Sequence, residues 1–492
     1  MTDMICAIDQ GTTGSTAVLL DRQLRVQGRA NREFDQIFPK PSWVEHDPET
    51  LWESTLDALG AALDDADCGP NQIACVGITN QRETTIVWDR ETGEPIHNAI
   101  VWQDRRTRGQ VKQLSDEGHE RRVQQRTGLL LDPYFSGTKI SWILDQVDGA
   151  RPRAARGELA FGTVDSWILW KMTGGEQHRT DISNASRTLL MNLGTGEWDP
   201  EMLDLFNVPR EMLPDIRGNA EIFGEVEDVP GIADGTPISG MAGDQQSALF
   251  GQACFQEGEA KCTYGTGAFL LMNTGNEAVL SNHRLLSSAA WEIDGEVTYC
   301  LEGSAFLAGA MVQWLRDGLG IIDDAEEVET LARSVSSSEE VVVVPSLSGL
   351  GAPHWNPDAR GVIWGMTRGT RDAHIARATL EGIALQNVDI LTAMEHDSGD
   401  RLKTLKVDGG ASSNDLLMQM QSDFLDCEIV RPWMTETTVL GAALLAGLGA
   451  GVFEDLGDIR QTWREDRTFS PSMGEEERQR HLSLWQEGIE RV

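Results

Sequence analysis

Several things are scarce in these 492 residues, and each scarcity removes a class of protein. The seven cysteines (6, 68, 75, 254, 262, 300 and 427) are odd in number, scattered and never in a Cys-x-x-Cys pair, which argues against a disulfide framework or a structural zinc site. They read as free thiols. No apolar run approaches the ~20 residues that cross a bilayer, and the start lacks the basic and long apolar segments of a secretory leader. A cytoplasmic protein without a membrane span is expected, and the acceptor triplet Asn184-Ala185-Ser186 then has no use as a glycosylation site. Positive charge is also scarce: 41 basic residues stand against 78 acidic ones, a formal charge of −37, and only seven of the basic residues are lysine. Such a field repels polyanions, so no nucleic-acid partner is expected. It also repels itself unless salt screens it, and the Debye length falls to about 3 Å at 1 M. We read the composition as that of an acidic protein adapted to a halophilic, salt-rich cytoplasm, against the plainer alternative of an ordinary acidic cytosolic protein. Finally, there is no Gly-x-x-x-x-Gly-Lys-Ser/Thr loop and no protein-kinase catalytic set, so phosphate handling, if present, needs another device.

What is present is the pattern of a large α/β enzyme. A chain of 492 residues exceeds one core at roughly 100 to 250 residues per domain, so two large domains are expected. Residues 4–8 form an apolar run, Asp9 to Gly14 a glycine-rich bend, and Ser15 to Leu20 a second run, which together predict a β-hairpin. Asp47-Pro48 predicts a helix start, with Leu51, Thr55, Leu56, Leu59 and Leu63 at helical spacing over about four turns. Strands are predicted at 73–79 and 84–88, with Arg82 and Glu83 in the bend between them. A second hairpin follows about half a chain after the first, with Lys261 to Tyr264 and Ala268 to Met272 flanking Gly265-Thr266-Gly267. The pair reads as a duplicated domain, although short hairpins also match by chance. Pro237 to Met241 predicts a strand that passes through Ala242-Gly243-Asp244 into a helix. Thr404 to Val407 predicts another, followed by Asp408-Gly409-Gly410 and a helix capped by Ser412 or Ser413.

The two Gly-Thr bends suit phosphate, because glycine lets backbone N–H groups approach and threonine adds a hydroxyl donor. Asp9 at the first strand end is placed to hold a hydrated Mg²⁺. Taken singly, an Asp-x-Gly-Thr bend is equally a structural hairpin, Arg82-Glu83 is more readily an ion pair in a surface bend, Asp244 serves equally as a helix cap, and each aromatic is more readily a core residue.

Longer strings decide between these readings. AIDQGTT at 7–13, ITNQRETTIVWD at 78–89, VWQDRRT at 101–107, DPYFSGTKISWI at 132–143, SGMAGDQQSALFGQ at 239–252, KCTYGTGAFLLMNTG at 261–275, LEGSAFLAGAMVQWLRD at 301–317 and LKVDGGASSNDLLMQMQSD at 405–423 resemble the FGGY carbohydrate kinases, and most of all their glycerol-phosphorylating branch. The resemblance covers nearly the whole chain. It implies an α/β fold of two ribonuclease-H-like domains, as in actin, the large chaperone ATPases and the sugar kinases, around a central cleft. The boundary falls near residue 249, with the substrate site and first phosphate loop in 1–249 and the second phosphate loop and adenosine pocket in 250–492. It further implies ATP and Mg²⁺ as cofactors, glycerol as substrate, and a homodimer or homotetramer. By the same resemblance Asp244 is the catalytic base, and Arg82, Glu83, Trp102, Tyr134, Gln245 and Phe269 hold the triol. Thr12, Thr13, Gly14 and Thr266 meet the nucleotide phosphates, Gly309, Gln313, Gly410 and Asn414 the adenosine, and Asp9 and Asp244 the metal.

Two departures from the family pattern carry expectations. Gly14-Ser15-Thr16 stands where many relatives place an arginine that reaches the phosphates, so part of the cationic grip is missing. Gly231 to Gly235 reads Gly-Ile-Ala-Asp-Gly where several relatives hold fructose 1,6-bisphosphate with an arginine, and an acid there repels a bisphosphate. Activity is therefore expected to be unchanged by sub-millimolar fructose 1,6-bisphosphate in a steady-state assay. Salt adaptation predicts a melting temperature that rises between low and molar KCl, and a flat or falling curve refutes it.

Overall fold

The computed structural model describes residues 4–356, 358–399 and 401–492, and it shows two mixed sheets built to one plan. In the first, Met4–Gln10 turns through Gly11-Thr12-Thr13 into Gly14–Asp21, which pairs with Val26–Glu33 to complete an antiparallel meander. Ile73–Asn80 lies parallel to Met4–Gln10 on its other side, Pro237–Gly243 lies parallel to Ile73–Asn80, and Gly224–Glu225 closes the edge. The second sheet repeats the arrangement. Glu259–Tyr264, Ala268–Asn273, Glu296–Ala305 and Leu286–Ile293 form the meander, and Thr404–Asp408, Glu428–Pro432 and Glu465–Phe469 extend it from Glu259–Tyr264. The two predicted hairpins are thus equivalent parts of a repeated unit.

The first sheet is buried between helices of different origin. Pro48–Asp65 starts as predicted, with the Asp47 side chain accepting the Glu49 N–H at 3.0 Å, and runs for 18 residues, longer than the periodicity implied. Leu51, Thr55, Leu59 and Leu63 face the sheet, joined by Ser54, Ala58 and Ala62, while Leu56 lies at the margin. The opposite face is covered by Thr437–Gly449 from the far end of the chain, whose composition is apolar all round because it is buried all round. It comes so close that a β-carbon at Gly240 would lie 2.2 Å from the Ala446 nitrogen, and one at Gly77 would lie 2.2 Å from the Ala442 carbonyl oxygen. Glycine at these positions is a requirement of backbone-to-backbone packing.

Between Ile73–Asn80 and Pro237–Gly243 the chain makes a long excursion with its own core, where Ile86–Asp89 pairs with Leu159–Gly162 beside Phe135, Ile140, Leu190 and Phe206. This excursion carries Trp102 and Tyr134. The two halves join along one side: Leu286–Ile293 of the second sheet docks on the first half through Ser287 N–H to the Gly128 carbonyl (2.9 Å) and Asn219 N–H to the Glu292 carbonyl (2.8 Å). A cleft remains between the halves.

The helix after Gly409 corrects one expectation. Ser412 and Ser413 do not cap it, because Gly410–Ser413 forms a 3₁₀ turn in which their hydroxyls donate to the carbonyls of Gly409 and Gly410, at 2.7 and 2.8 Å. Asn414 caps Asp415–Leu425 instead, its side chain accepting the Leu417 N–H at 2.9 Å. All seven cysteines are free, Asn184 is buried, and no helix among the described residues is long and apolar enough to cross a membrane.

Candidate active site

Three neighbouring parallel strands end on one line. In register, Asp9 and Gln10 face Thr79 and Asn80, which in turn face Ala242 and Gly243. Each strand then delivers its next residues to the same edge: the Gly11-Thr12-Thr13 bend, Arg82 with Glu83, and Asp244. Ligands of α/β sheets gather at such C-terminal strand ends. The edge is held from below by amides and hydroxyls, since Asn80 and Asn184 exchange side-chain bonds at 3.0 and 3.1 Å and Ser183 accepts the Gly243 N–H at 3.0 Å.

A cavity of about 550 Å³ opens above this edge. Thr12, Thr13, Arg82, Glu83, Trp102, Tyr134, Asp244 and Gln245 line it from the first half, and Thr266 and Phe269 from the second. Sequence reasoning thus brought ten of its candidates to one place. Trp102 and Tyr134 stand edge to face with ring centres 5.6 Å apart, and the Trp102 indole N–H donates to the Thr12 hydroxyl at 2.9 Å, tying the apolar wall to the first Gly-Thr bend. Asp244 is the first residue of the helix Asp244–Gly251, after Gly243 as cap; one of its oxygens lies 3.0 Å from Arg82 Nε and accepts the Gln245 N–H at 2.6 Å. Its side chain is 30% exposed toward the cavity.

The remaining candidates do not line this cavity. Gly14 opens the second strand of the hairpin, and Asp9 lies at the end of the first. Asp9 makes no side-chain hydrogen bond or ion pair among the described residues, and burial, followed by the charges of Asp244 and Glu436, raises its pKa to about 7. Thr16, at the place of the absent arginine, accepts a bond from Asn31 Nδ2 at 2.9 Å. Gly309 packs on the second bend, its N–H donating to the Gly265 carbonyl at 3.0 Å, while Gln313 on the next turn is exposed. Gly410 lines a separate recess with Arg431, Thr435, Glu436 and Asp466, and the Asn414 side-chain oxygen is engaged in its cap.

Arg82 and Glu83 are neither on the surface nor paired with each other. Arg82 Nη1 and Nη2 grip both oxygens of Glu302 at 2.5 and 2.9 Å, and Nη1 also donates to Gln246 at 3.1 Å. Arg187 Nε donates to Glu83 at 2.6 Å, and its Nη2 lies 3.2 Å from Glu302. All four charged side chains are at most 2% exposed. Burial alone would push the Glu302 carboxyl up, but Arg187 and Arg82 overcome it and hold the group down at about 2. Glu83 adopts φ +62°, and its carbonyl accepts from Thr85 (3.1 Å), Ser136 (3.0 Å) and Lys139 (3.4 Å), which offsets the strain of a left-handed non-glycine residue. Lys139 also bonds the Tyr134 carbonyl at 2.6 Å, and burial lowers its pKa to about 7. Lys261, fully buried on Glu259–Tyr264, bonds the Gln245 side chain and reaches Thr263 at 2.9 Å.

Glu302, Arg187, Lys139 and Lys261 were missed as site residues. The available signal was a charge set in an apolar string, as in Cys300-Leu301-Glu302-Gly303 or Ala260-Lys261-Cys262, since such charges are seldom buried unpaired.

Donor counting shows what this arrangement offers a ligand. Of the four N–H groups on the terminal nitrogens of Arg82, Glu302 and Gln246 engage three, leaving one on Nη2. Glu83 has one oxygen on Arg187 and the other without a protein donor among the described residues. One free donor beside one free acceptor matches two adjacent hydroxyls, with Asp244 left for a third.

Two α/β halves of one plan, with Gly-Thr bends on both walls of a cleft and a carboxylate between them, define a phosphotransferase of the actin-like class. The FGGY carbohydrate kinase models match this chain over residues 4–251 for the N-terminal domain and 260–450 for the C-terminal domain. The glycerol kinase of Deinococcus radiodurans is 54% identical over 489 residues, 99% of this chain and 97% of that one, and the glycerol kinase of Myxococcus xanthus is 54% identical over 99% of both. The crystal structure of Plasmodium falciparum glycerol kinase with ADP superposes with a TM-score of 0.93 at 37% identity, covering 100% of this chain and 98% of that one. The chain belongs to the FGGY family of carbohydrate kinases.

The depressed Glu302 pKa has a signed consequence. Its stabilisation is fully present above the ordinary glutamate pKa of about 4.5 and is lost as pH falls toward about 2. The melting-temperature gap between the parent and Glu302→Gln is expected to be widest above pH ~5 and to narrow steadily between about pH 4.5 and 2. A gap independent of pH contradicts the assigned ionisation.

Proposed function

We propose that this protein transfers the γ-phosphoryl group of ATP to a terminal hydroxyl of glycerol, giving sn-glycerol 3-phosphate for glycerol uptake and catabolism in the cytoplasm. One observation carries the reading: Asp244 faces the same cavity as a free Arg82 donor, a free Glu83 acceptor and two Gly-Thr bends on opposite walls. Full-length likeness to curated glycerol kinases supports it.

In this reading the backbone and hydroxyls of Thr12, Thr13, Gly14 and Thr266 receive the phosphates. The adenosine lies toward Gly309, Gln313, Gly410 and Asn414, of which Gly410 lines the recess beside Arg431. Glycerol stands its carbon chain against Trp102 and Phe269, with Tyr134 as a phenolic donor and Gln245, braced by Lys261, on a hydroxyl. Asp244 orients the terminal hydroxyl. As its oxygen bonds to the γ-phosphorus and the bond to the β–γ bridging oxygen breaks, Asp244 takes the proton and ADP leaves. Such a transfer is largely dissociative, so alignment and late proton acceptance are what the carboxylate supplies.

Mg²⁺ fits the residues present. No group of three or more His, Cys, Asp or Glu among the described residues is arranged to hold a metal by itself, which is the usual situation for Mg²⁺ bound by one or two carboxylates plus phosphates. Asp9, buried at the strand end with no hydrogen bond or ion pair among the described residues, supplies such a carboxylate, and Asp244 a second. When bound, Mg²⁺ neutralises phosphate charge.

We assign residues 1–249 and 250–492 to the two domains, with Thr437–Gly449 returning to cover the first sheet, and a homodimer or homotetramer as the working form. Glycerol-dependent ADP release is expected from the parent and should drop by at least ~100-fold in Asp244→Asn, the low end of what losing a positioned base costs. ATP hydrolysis indifferent to glycerol, or an active Asp244→Asn, refutes the assignment.

A further inference from the structure

Glu302 reaches the triol site from the second sheet, and nothing in the proposed chemistry needs it. It lines the cavity, is 2% exposed, and occupies both terminal nitrogens of Arg82 while touching Arg187. Without it the cavity would present two buried guanidinium groups and Lys261 against Glu83 and the partly exposed Asp244. With it Arg82, Arg187 and Lys261 are matched by Glu83, Glu302 and Asp244, and the paired terminal N–H edge of Arg82 is closed. Lys139, behind Glu83, bonds only main-chain carbonyls.

We infer that Glu302 is a specificity-determining residue: by closing the paired N–H edge of Arg82 and cancelling its charge, it makes this a site for a neutral polyol and excludes three-carbon dihydroxy acids of the same size. A guanidinium is the usual partner of a carboxylate because its terminal nitrogens bind two oxygens side by side. Glycerate differs from glycerol by a carboxylate in place of one hydroxymethyl group and would fit sterically. Here it meets a guanidinium already bound in that manner, with Asp244 and Glu83 adding repulsion. A hydroxyl needs only the single donor left on Nη2. Discrimination therefore comes from an element that rejects the competitor as well as from contacts to the substrate.

The inference rests on reading the cavity as the triol site, and a binding experiment separates the two. Glycerol and D-glycerate are titrated calorimetrically into the parent and into Glu302→Gln, with no turnover required. Glutamine keeps the side-chain shape but removes the charge and one acceptor, so Glu302→Gln is expected to bind glycerate at least about tenfold more tightly than the parent and glycerol at least about tenfold more weakly. General damage would weaken both ligands, and glycerate affinity unchanged or lowered in a folded Glu302→Gln overturns the inference. A parent that binds no glycerol sinks the triol reading, while the glycerate comparison still reports on the charge. Should Glu302→Gln not fold, Arg187→Gln carries the test with opposite sign. It leaves the site more negative and should bind the cationic diol 3-aminopropane-1,2-diol at least about tenfold more tightly than the parent. No gain there overturns the inference equally.

Discussion

The site depends on the register of three parallel strands. Because Asp9 and Gln10, Thr79 and Asn80, and Ala242 and Gly243 lie side by side, the chain leaves the sheet three times along one edge. A slip of one residue in any strand would turn its side chains to the other face and shift its exit by about 3.3 Å. The first Gly-Thr bend, Arg82 with Glu83, and Asp244 would then no longer address one point. The register is backed on both faces, by Pro48–Asp65 and Val164–Met172 on one and by Thr437–Gly449 on the other. Thr437–Gly449 lies so close to the sheet at Gly77 and Gly240 that no β-carbon would fit there.

On this scaffold the protein places a compact knot of buried charge. Arg82, Glu302, Arg187 and Glu83 are each nearly without solvent, which carries a large desolvation cost unless geometry and partners are complete. Completeness is what the structure shows: bidentate Arg82 to Glu302, Arg187 bridging both glutamates, and a further bond from Arg187 to Ser288 at 2.9 Å. The bond partners come from the first sheet's edge, the excursion and the second sheet, so the knot also joins the halves on the side where they already dock. Rigidity here serves a small, neutral, weakly interacting ligand, for which pre-set donors and acceptors limit the ordering cost of binding.

The hairpins, the capped helix after Asp47 and the strand into Asp244 were legible along the chain, because each is a local pattern of turn residues and periodicity, whereas the ten residues of one cavity were named through the family resemblance of the longer strings around them. The helix cap at Asn414 was misplaced by one or two residues because Ser412, Ser413 and Asn414 are all competent caps, and only the 3₁₀ turn decides among them. Arg82-Glu83 looked as much like a surface pair as a grip. Their burial depends on an excursion of about 150 residues folding over them and on a strand from the other half.

By itself the sequence determined the chemistry available: Gly-Thr bends without a lysine, a carboxylate opening a helix, and a charge balance hostile to polyanions. Those follow from residue type and near neighbours. The tertiary structure alone decided which groups are already engaged. Glu302 lies 220 positions from Arg82 along the chain, and Arg187 lies 104 from Glu83, so the count of free donors and acceptors in the cavity is a property of packing. No local pattern encodes it, because the pairing energy of a buried charge is set by whatever the fold brings beside it.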